Sequence, residues 1–377
     1  MNWQRVRSWF PVTRELTYLN HAGVAPISTR VEEALRRYAE EASRHGAFHY
    51  DAVYDAEIER TRARVATLLG ASPDEVAFVK NTTEGLGIVA EGLAWRPGDQ
   101  VITCDLEYPS NVYPWRELGR FGVETVLLRG SDGRLPLERV EEALRSPRAR
   151  LLTLSSVEFG SGARNDLETL GDLCRERGVL FCVDAIQSLG CLPLQPEPWG
   201  IDFLAADGHK WLLSVEGCGI FYCSRRLLDQ VRPRTIGWRS VADNRDFDHY
   251  QTQLQATAVR FEEGTPNTAG IFALGAAVDL LLEVGIDAIA GRVLALTDRL
   301  CEGLPARRAR LLSPRTPTEA SGIVSFVVEG EPPPQTSARL RQAGIFTVVR
   351  RGAVRASPHF YNDEADLERL LGALSGR

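Results

Sequence analysis

From residue 75 onward, apolar and polar positions alternate in two periods. Short runs rich in β-branched and aromatic residues, "EVAFV", "QVITC", "ETVLL", "RLLTLSSV", "VLFCVDA", "IDFLAA" and "GCGIFYC", read as strands. Helical spacing over 82–94, 136–145 and 166–177 fills most of the gaps, so a seven-stranded, mostly parallel sheet covered on both faces is expected: an α/β core. After residue 250 the rhythm changes. Long amphipathic helices around 268–283 and 286–303 are followed by "GIVSFVVEG", the Pro-rich "EPPPQ", "FTVVR" and a last helix near 362–374, which predicts a smaller α+β unit. "EPPPQ" reads as a turn into a helix whose first turn tolerates proline.

At 377 residues the chain exceeds what one core usually fills. The expected division is a large domain over 18–255 and a small one over 256–377 together with 1–17, with 224–266 as the connection. A formal net charge of -6 argues against a general nucleic-acid binder, which needs clustered cations to neutralise phosphates, and Arg307, Arg308 and Arg310 read as a solvated face. "MNWQRVRSWFPVTREL" has no apolar signal region, and the most hydrophobic segments are broken by Asp184 or Asp279. A cytoplasmic protein without a membrane partner is expected. The seven cysteines, at 104, 174, 182, 191, 218, 223 and 301, form no CxxC pair and no zinc spacing, so buried free thiols and no metal are expected.

In parallel sheets the ligand lies beyond the C-terminal ends of the strands, so the polar residues that end them belong together. They are Lys80-Asn81-Thr82-Thr83-Glu84, Asp105-Leu106-Glu107-Tyr108, Ser155-Ser156, Asp184-Ala185-Ile186-Gln187 and Asp207-Gly208-His209-Lys210. A helix starting at Asn81 or Thr82 offers free amides and hydroxyls to a phosphate. Asp184 follows four apolar residues, where a carboxylate needs a partner such as a protonated ring nitrogen. Lys210 ends an apolar run; desolvation favours its free amine, which condenses with carbonyls. Together these describe pyridoxal 5'-phosphate. A competing dinucleotide fingerprint, Gly85 and Gly87 with Ala90 and Asp105, places its glycines inside the predicted helix rather than at the strand end.

With "VDAIQS" and "DGHKW", which put Asp184 and Lys210 26 positions apart, the chain resembles the class V aminotransferase branch of fold type I pyridoxal-phosphate enzymes. That branch includes cysteine desulfurases, kynureninase and isopenicillin N epimerase-like proteins. "YLNHAGVAP", "NTTEG", "EYPSNVYPW", "FEEGTPN" and "VRASPHFYN" extend the resemblance over nearly the whole chain. It implies that Lys210 holds the cofactor as a Schiff base and shuttles the Cα proton. Asp184 would pair with the pyridine nitrogen, Gln187 with the phenolic oxygen, and Tyr108 would stack on the ring. Thr82, Thr83 and His209 would bind the phosphate, and Asp207 stands where desulfurases often have serine. "FEEGTPN" resembles a segment that crosses a homodimer interface, making Thr265 a phosphate ligand in trans.

A substrate α-carboxylate calls for a planar, permanently charged donor, and Arg350 and Arg355 on the last strands supply two. Arg350 matches the carboxylate-binding position of desulfurases, Arg355 is the alternative, and Arg351 should point the other way along the strand. The departure from desulfurases is that residues 302–377 contain no cysteine to take up sulfur as a persulfide. The expected activity is therefore a C–S lyase, β-eliminating and desulfurase-like, acting on an amino acid. An aminotransferase or amino-acid epimerase is the alternative, and a catalytically inactive binding protein of the same fold a remote one.

Overall fold

The computed structural model describes residues 1–375, so the last two positions of the expected 256–377 unit lie outside the described residues. After a short N-terminal helix (Trp3–Arg7), two longer helices, α1 (Thr29–His45) and α2 (Ala56–Leu69), precede the sheet. Then come β1 (Val76–Val79), α3 (Thr82–Gly92), β2 (Gln100–Cys104), β3 (Glu124–Leu128), α4 (Leu137–Leu144), β4 (Ala149–Ser155), α5 (Leu167–Arg177), β5 (Leu180–Asp184), β6 (Phe203–Asp207) and β7 (Gly219–Cys223). All seven expected strands join one sheet, in the order β1-β7-β6-β5-β4-β2-β3. Strands β1 to β6 run in one direction, and β7 alone is antiparallel to both its neighbours. Every side chain of β1, β2, β6 and β7 is buried, as befits strands with helices over both faces; the edge strand β3 is half-exposed.

The glycines of the dinucleotide-like run lie within α3, as their place in the sequence predicts. A Cβ on Gly85 would sit 2.7 Å from the Cβ of Ala205, so glycine lets α3 press onto β6 and brings the helix N-terminus to the end of that strand.

Beyond the sheet follow α6 (Thr268–Val284), α7 (Ile286–Gly303), β8 (Ala309–Leu311), β9 (Val324–Val328), α8 (Pro333–Gln342), β10 (Val348–Arg350), β11 (Ala353–Ala356) and α9 (Glu364–Ser375). Helix α6 is apolar nearly all round because it is enclosed: Ile271, Leu274 and Val278 share a core with Ile58, Val65 and Phe78. Among the described residues no single helix is long and apolar enough to cross a membrane. A separate core joins Leu296 and Leu300 to Phe326, Val354, Leu367 and Leu19. It lies against a four-stranded antiparallel sheet ordered β10-β11-β9-β8. Thr17–Tyr18 pairs in parallel with Ile345–Phe346, which ties the N-terminus to this unit.

Strands β10 and β11 are closed by a two-residue turn, Arg351–Gly352, with φ of 47° and 74°. Positive φ at both central residues is the I′ geometry that suits the twist of a tight hairpin. Arg351 therefore leaves the strand at its last residue and does not alternate with Arg350 as the sequence pattern suggested. Arg355 lies opposite Val348, and Arg350 is two residues further along, so Arg350 and Arg355 share one face.

Candidate active site

The C-terminal ends of β1, β2, β4, β5 and β6 converge on one edge of the sheet. At α3, Asn81 caps the helix by accepting from the Glu84 amide at 3.0 Å, which leaves the first-turn amides of Thr82 and Thr83 without an intrahelical acceptor. The Thr82 hydroxyl accepts from the Asp207 amide at 3.1 Å and pins the helix start to the end of β6. Thr83 is exposed and donates to Ser110 at 2.8 Å. His209 Nδ1 lies 3.0 Å from Asp207 Oδ2, while Asp207 Oδ1 has no hydrogen-bond partner among the described residues. Asp207 thus faces His209, which places its carboxylate as a neighbour of the histidine.

Asp184 ends the central strand β5, in register with Ser155 on one side and Ala205 on the other. It is buried, and its Oδ1 accepts from the Ile186 amide at 3.0 Å. Burial pushes its pKa up to about 6, only partly offset by that amide and by the charge of Lys210. Lys210, half-buried in the turn after β6, is pulled down to about 8 by desolvation; Asp184 acts in the opposite direction and Arg355 adds to the depression. The Tyr108 ring lies 5.6 Å from Lys210 Nζ and meets Phe159 edge-on at 5.2 Å. Gln187 is buried, donates to the Ala22 carbonyl at 3.2 Å and accepts from Trp211 Nε1 at 3.0 Å. One donor hydrogen of its amide is left for another acceptor.

The two candidate arginines differ sharply. Arg350 is exposed and donates to its neighbour's carbonyl, that of Val349. Arg355 is 1% exposed, donates to the Phe159 carbonyl at 2.8 Å and has an unpartnered Nε. The buried arginines Arg62, Arg239 and Arg260 each pair with a carboxylate, Glu262 or Asp229; Arg355 has none within 4.0 Å among the described residues. Its pKa is lowered to about 9, by burial first and by Arg350 second. A buried guanidinium without a counter-ion is costly and suits an incoming carboxylate.

Thr265 does not join this group. It is exposed and lines a separate cavity of about 360 Å³ with Lys80, Glu84 and Gly217.

Several residues at the site carried no assignment from sequence. His21 joins Tyr361 at 2.6 Å and the Ser357 carbonyl at 2.8 Å, so "YLNHAGVAP" and "VRASPHFYN" meet beside Trp211. Glu107 accepts from the Ser155 amide and hydroxyl at 2.5 Å each, and Glu158 from Asn165 at 3.0 Å. Both carboxylates are buried and pushed up by desolvation, Glu158 to about 7. The only signal in the sequence is an acidic residue just past a strand end, which is also the signature of a solvated loop.

Residues 17–370 match the family described as aminotransferase class-V. The chain belongs to this family. Class-V membership makes it an enzyme of fold type I, and the seven-stranded α/β architecture agrees. Among curated relatives, a probable cysteine desulfurase of Pyrococcus abyssi is 31% identical over 390 residues, covering 98% of this chain and 96% of the relative. Among solved structures, the apo cysteine desulfurase of Thermococcus onnurineus NA1 superposes with a TM-score of 0.91 at 29% identity, covering 99% of this chain and 97% of that one. A complex of the cystine C–S lyase C-DES with its reaction product cysteine persulfide superposes with a TM-score of 0.90 at 25% identity, covering 97% and 99%.

The cofactor of the class-V enzymes is pyridoxal phosphate, and the residues present fit it. The α3 N-terminus leaves free amides for a phosphate, Asp184 is a buried carboxylate held by a single amide, and Lys210 offers a depressed amine under the Tyr108 ring.

Proposed function

We propose that this enzyme is a C–S lyase that eliminates the sulfur substituent from Cβ of a cysteine-type amino acid and hands sulfur to no cysteine of its own. The observation that carries this reading is the Arg351–Gly352 turn. Desulfurases carry a cysteine on a loop of this C-terminal region, whereas residues 302–377 contain none and the strands bearing Arg350 and Arg355 are joined by a hairpin that turns in two residues. The thiols support it. Six of the seven cysteines are buried, Cys301 is partly so, and burial raises every one, Cys301 to about 11 and Cys174 to about 12. The thiolate is the nucleophile, and none is favoured here. Likeness to a cystine C–S lyase points the same way.

Pyridoxal phosphate, when bound, supplies an aldehyde that condenses with amines and a ring that draws electrons from Cα. Lys210 would hold the group and take the Cα proton; Asp184 would keep a proton at the pyridine nitrogen, and Gln187 has a donor hydrogen that would serve the phenolic oxygen. Tyr108 would lie against the ring. The amides of Thr82 and Thr83, with His209, hold the phosphate. Arg355 orients the α-carboxylate, so the Cα–H bond faces Lys210. For cystine, the Cβ–S bond then breaks with its electron pair leaving on sulfur, and one water converts the remaining enamine to pyruvate and ammonia. The sulfur product is cysteine persulfide. The reading includes a homodimer in which Thr265 meets the phosphate of the second copy; a fully active monomer in sedimentation would refute that part.

The decisive experiment supplies cystine, cysteine and S-methyl-L-cysteine with and without an α-keto acid, assays pyruvate, alanine and sulfide, and maps protein persulfides by mass spectrometry. Pyruvate without a persulfidated protein cysteine is expected. Alanine with a persulfide on one of the seven cysteines would overturn the reading, and keto-acid-dependent turnover without pyruvate would make the enzyme an aminotransferase.

The arginines can be separated with S-methyl-L-cysteine. Arg355→Lys loses the planar fork and is expected to raise KM about tenfold to a hundredfold, the worth of a charge-assisted bidentate contact. Arg350→Lys should change it by less than about threefold, because this guanidinium is exposed and solvated. The reverse ranking would restore Arg350 as the carboxylate ligand.

A further inference from the structure

Beside the Lys210 site lies a second cavity, of about 510 Å³, between the loop after β4 and the edge of the small sheet. Glu158, Asp132, Arg310, Arg350 and Arg351 are among the residues that line it. Two features make it more than a surface groove. Glu158 is 1% exposed, and its Oε2 has no hydrogen-bond partner among the described residues, although Oε1 is bonded to Asn165. Arg350 and Arg351 donate only to backbone carbonyls, those of Val349, Asp105 and Glu107, and neither is in an ion pair among the described residues. A buried carboxylate oxygen and two unpaired guanidiniums thus face one space.

That space adjoins the reacting centre. Arg350 lines it and is close enough to depress the pKa of both Lys210 and Arg355. Phe159 forms the partition: its carbonyl takes the Arg355 hydrogen bond, and its ring lies 5.3 Å from the Arg351 guanidinium.

We propose that this cavity is the subsite for a second amino-acid head group on the sulfur substituent, with the distal ammonium on Glu158 and the distal carboxylate on Arg351 and Arg350. The substrate class is then a bis-amino acid joined through sulfur, cystine above all, in preference to cysteine. This deepens the lyase reading and rests on it. The two Cα atoms of a disulfide-linked pair stand about 5.5–6 Å apart, a separation that crosses one side-chain partition. Burial holds Glu158 up and the charge of Arg351 offsets this only in part; an ammonium against the unpartnered Oε2 supplies further charge that favours the carboxylate.

The test compares L-cystine with S-methylthio-L-cysteine, which keeps the disulfide and the proximal head group and lacks the distal one. The holoenzyme is expected to show a kcat/KM for cystine about 100-fold higher. Glu158→Gln, isosteric and still able to accept from Asn165, and Arg351→Lys should each lower kcat/KM for cystine at least tenfold more than for S-methylthio-L-cysteine. Equal losses on both substrates, or no preference in the unmodified enzyme, would overturn the subsite. Calorimetric binding of the same two compounds to Lys210→Ala protein gives a readout independent of turnover. Cystine should bind at least tenfold tighter, and Glu158→Gln in that background should erase the difference; equal affinities would overturn the proposal. If neither compound yields pyruvate the lyase reading falls, and the calorimetric comparison still decides the subsite.

Discussion

Lys210→Ala is expected to abolish any borohydride-trapped adduct between protein and cofactor and to lower kcat by at least about 10³-fold, combining the loss of the covalent anchor with the loss of a positioned proton carrier. The chain makes this test unusually clean. Its basic residues are arginines apart from two lysines, Lys80 and Lys210. Lys80 is exposed and ion-paired with Glu84 at 3.1 Å, and nothing holds it beside Asp184. Reduction with borohydride followed by peptide mapping therefore has one competing destination. A stable adduct on Lys80, or an adduct surviving in Lys210→Ala, would remove Lys210 from the chemistry. The substitution lies in the turn after β6, outside the strands and helices, so the fold should persist, and an unchanged circular dichroism spectrum checks it.

Why the place of Lys210 at the sheet edge is legible in the sequence while the choice between Arg350 and Arg355 is not is a matter of which forces each depends on. Strand ends are marked locally: a run such as "FLAAD" is buried throughout, so its first polar residues must sit at the sheet edge, and parallel topology gathers those edges. Asp184, Lys210 and the α3 N-terminus were legible for that reason. Arg355 and Arg350 differ only through the hairpin register and the packing of β11 on Phe159, which are tertiary facts. Arg351 was misplaced because the alternation rule assumes that the strand continues, and Gly352 instead permits a two-residue turn. Glu107 and Glu158 come close only because β2 and β4 are neighbours in the sheet, an order the chain does not state. The length and fully apolar face of α6 were visible, whereas its burial between α1, α2 and the sheet depends on where the chain returns.

Asp184→Asn separates electrostatics from shape at the same site. Asparagine keeps the volume and an oxygen that can accept from the Ile186 amide, so cofactor stoichiometry should stay within about twofold of the unmodified enzyme. A neutral amide cannot hold a proton at the pyridine nitrogen, and kcat should fall by about 10²–10³-fold, as when a preorganised charge is removed from an active site. Near-normal turnover would rule out the ring-nitrogen role. The cofactor-free protein should respond in the opposite sense. In the folded chain Asp184 has a pKa of about 6, above the value of about 3.9 for an unfolded aspartate. A carboxylic acid with a raised folded pKa binds its proton more tightly when folded, so stability falls as pH rises from about 4 to 6 and the loss persists above that range. The asparagine variant has no such loss. Without cofactor it should melt at a higher temperature than the unmodified protein at pH 7, and the difference should shrink toward zero near pH 4. A cofactor-free variant that is less stable at pH 7 would mean that the carboxylate is compensated in the folded chain, and the case for a missing cationic partner would fail.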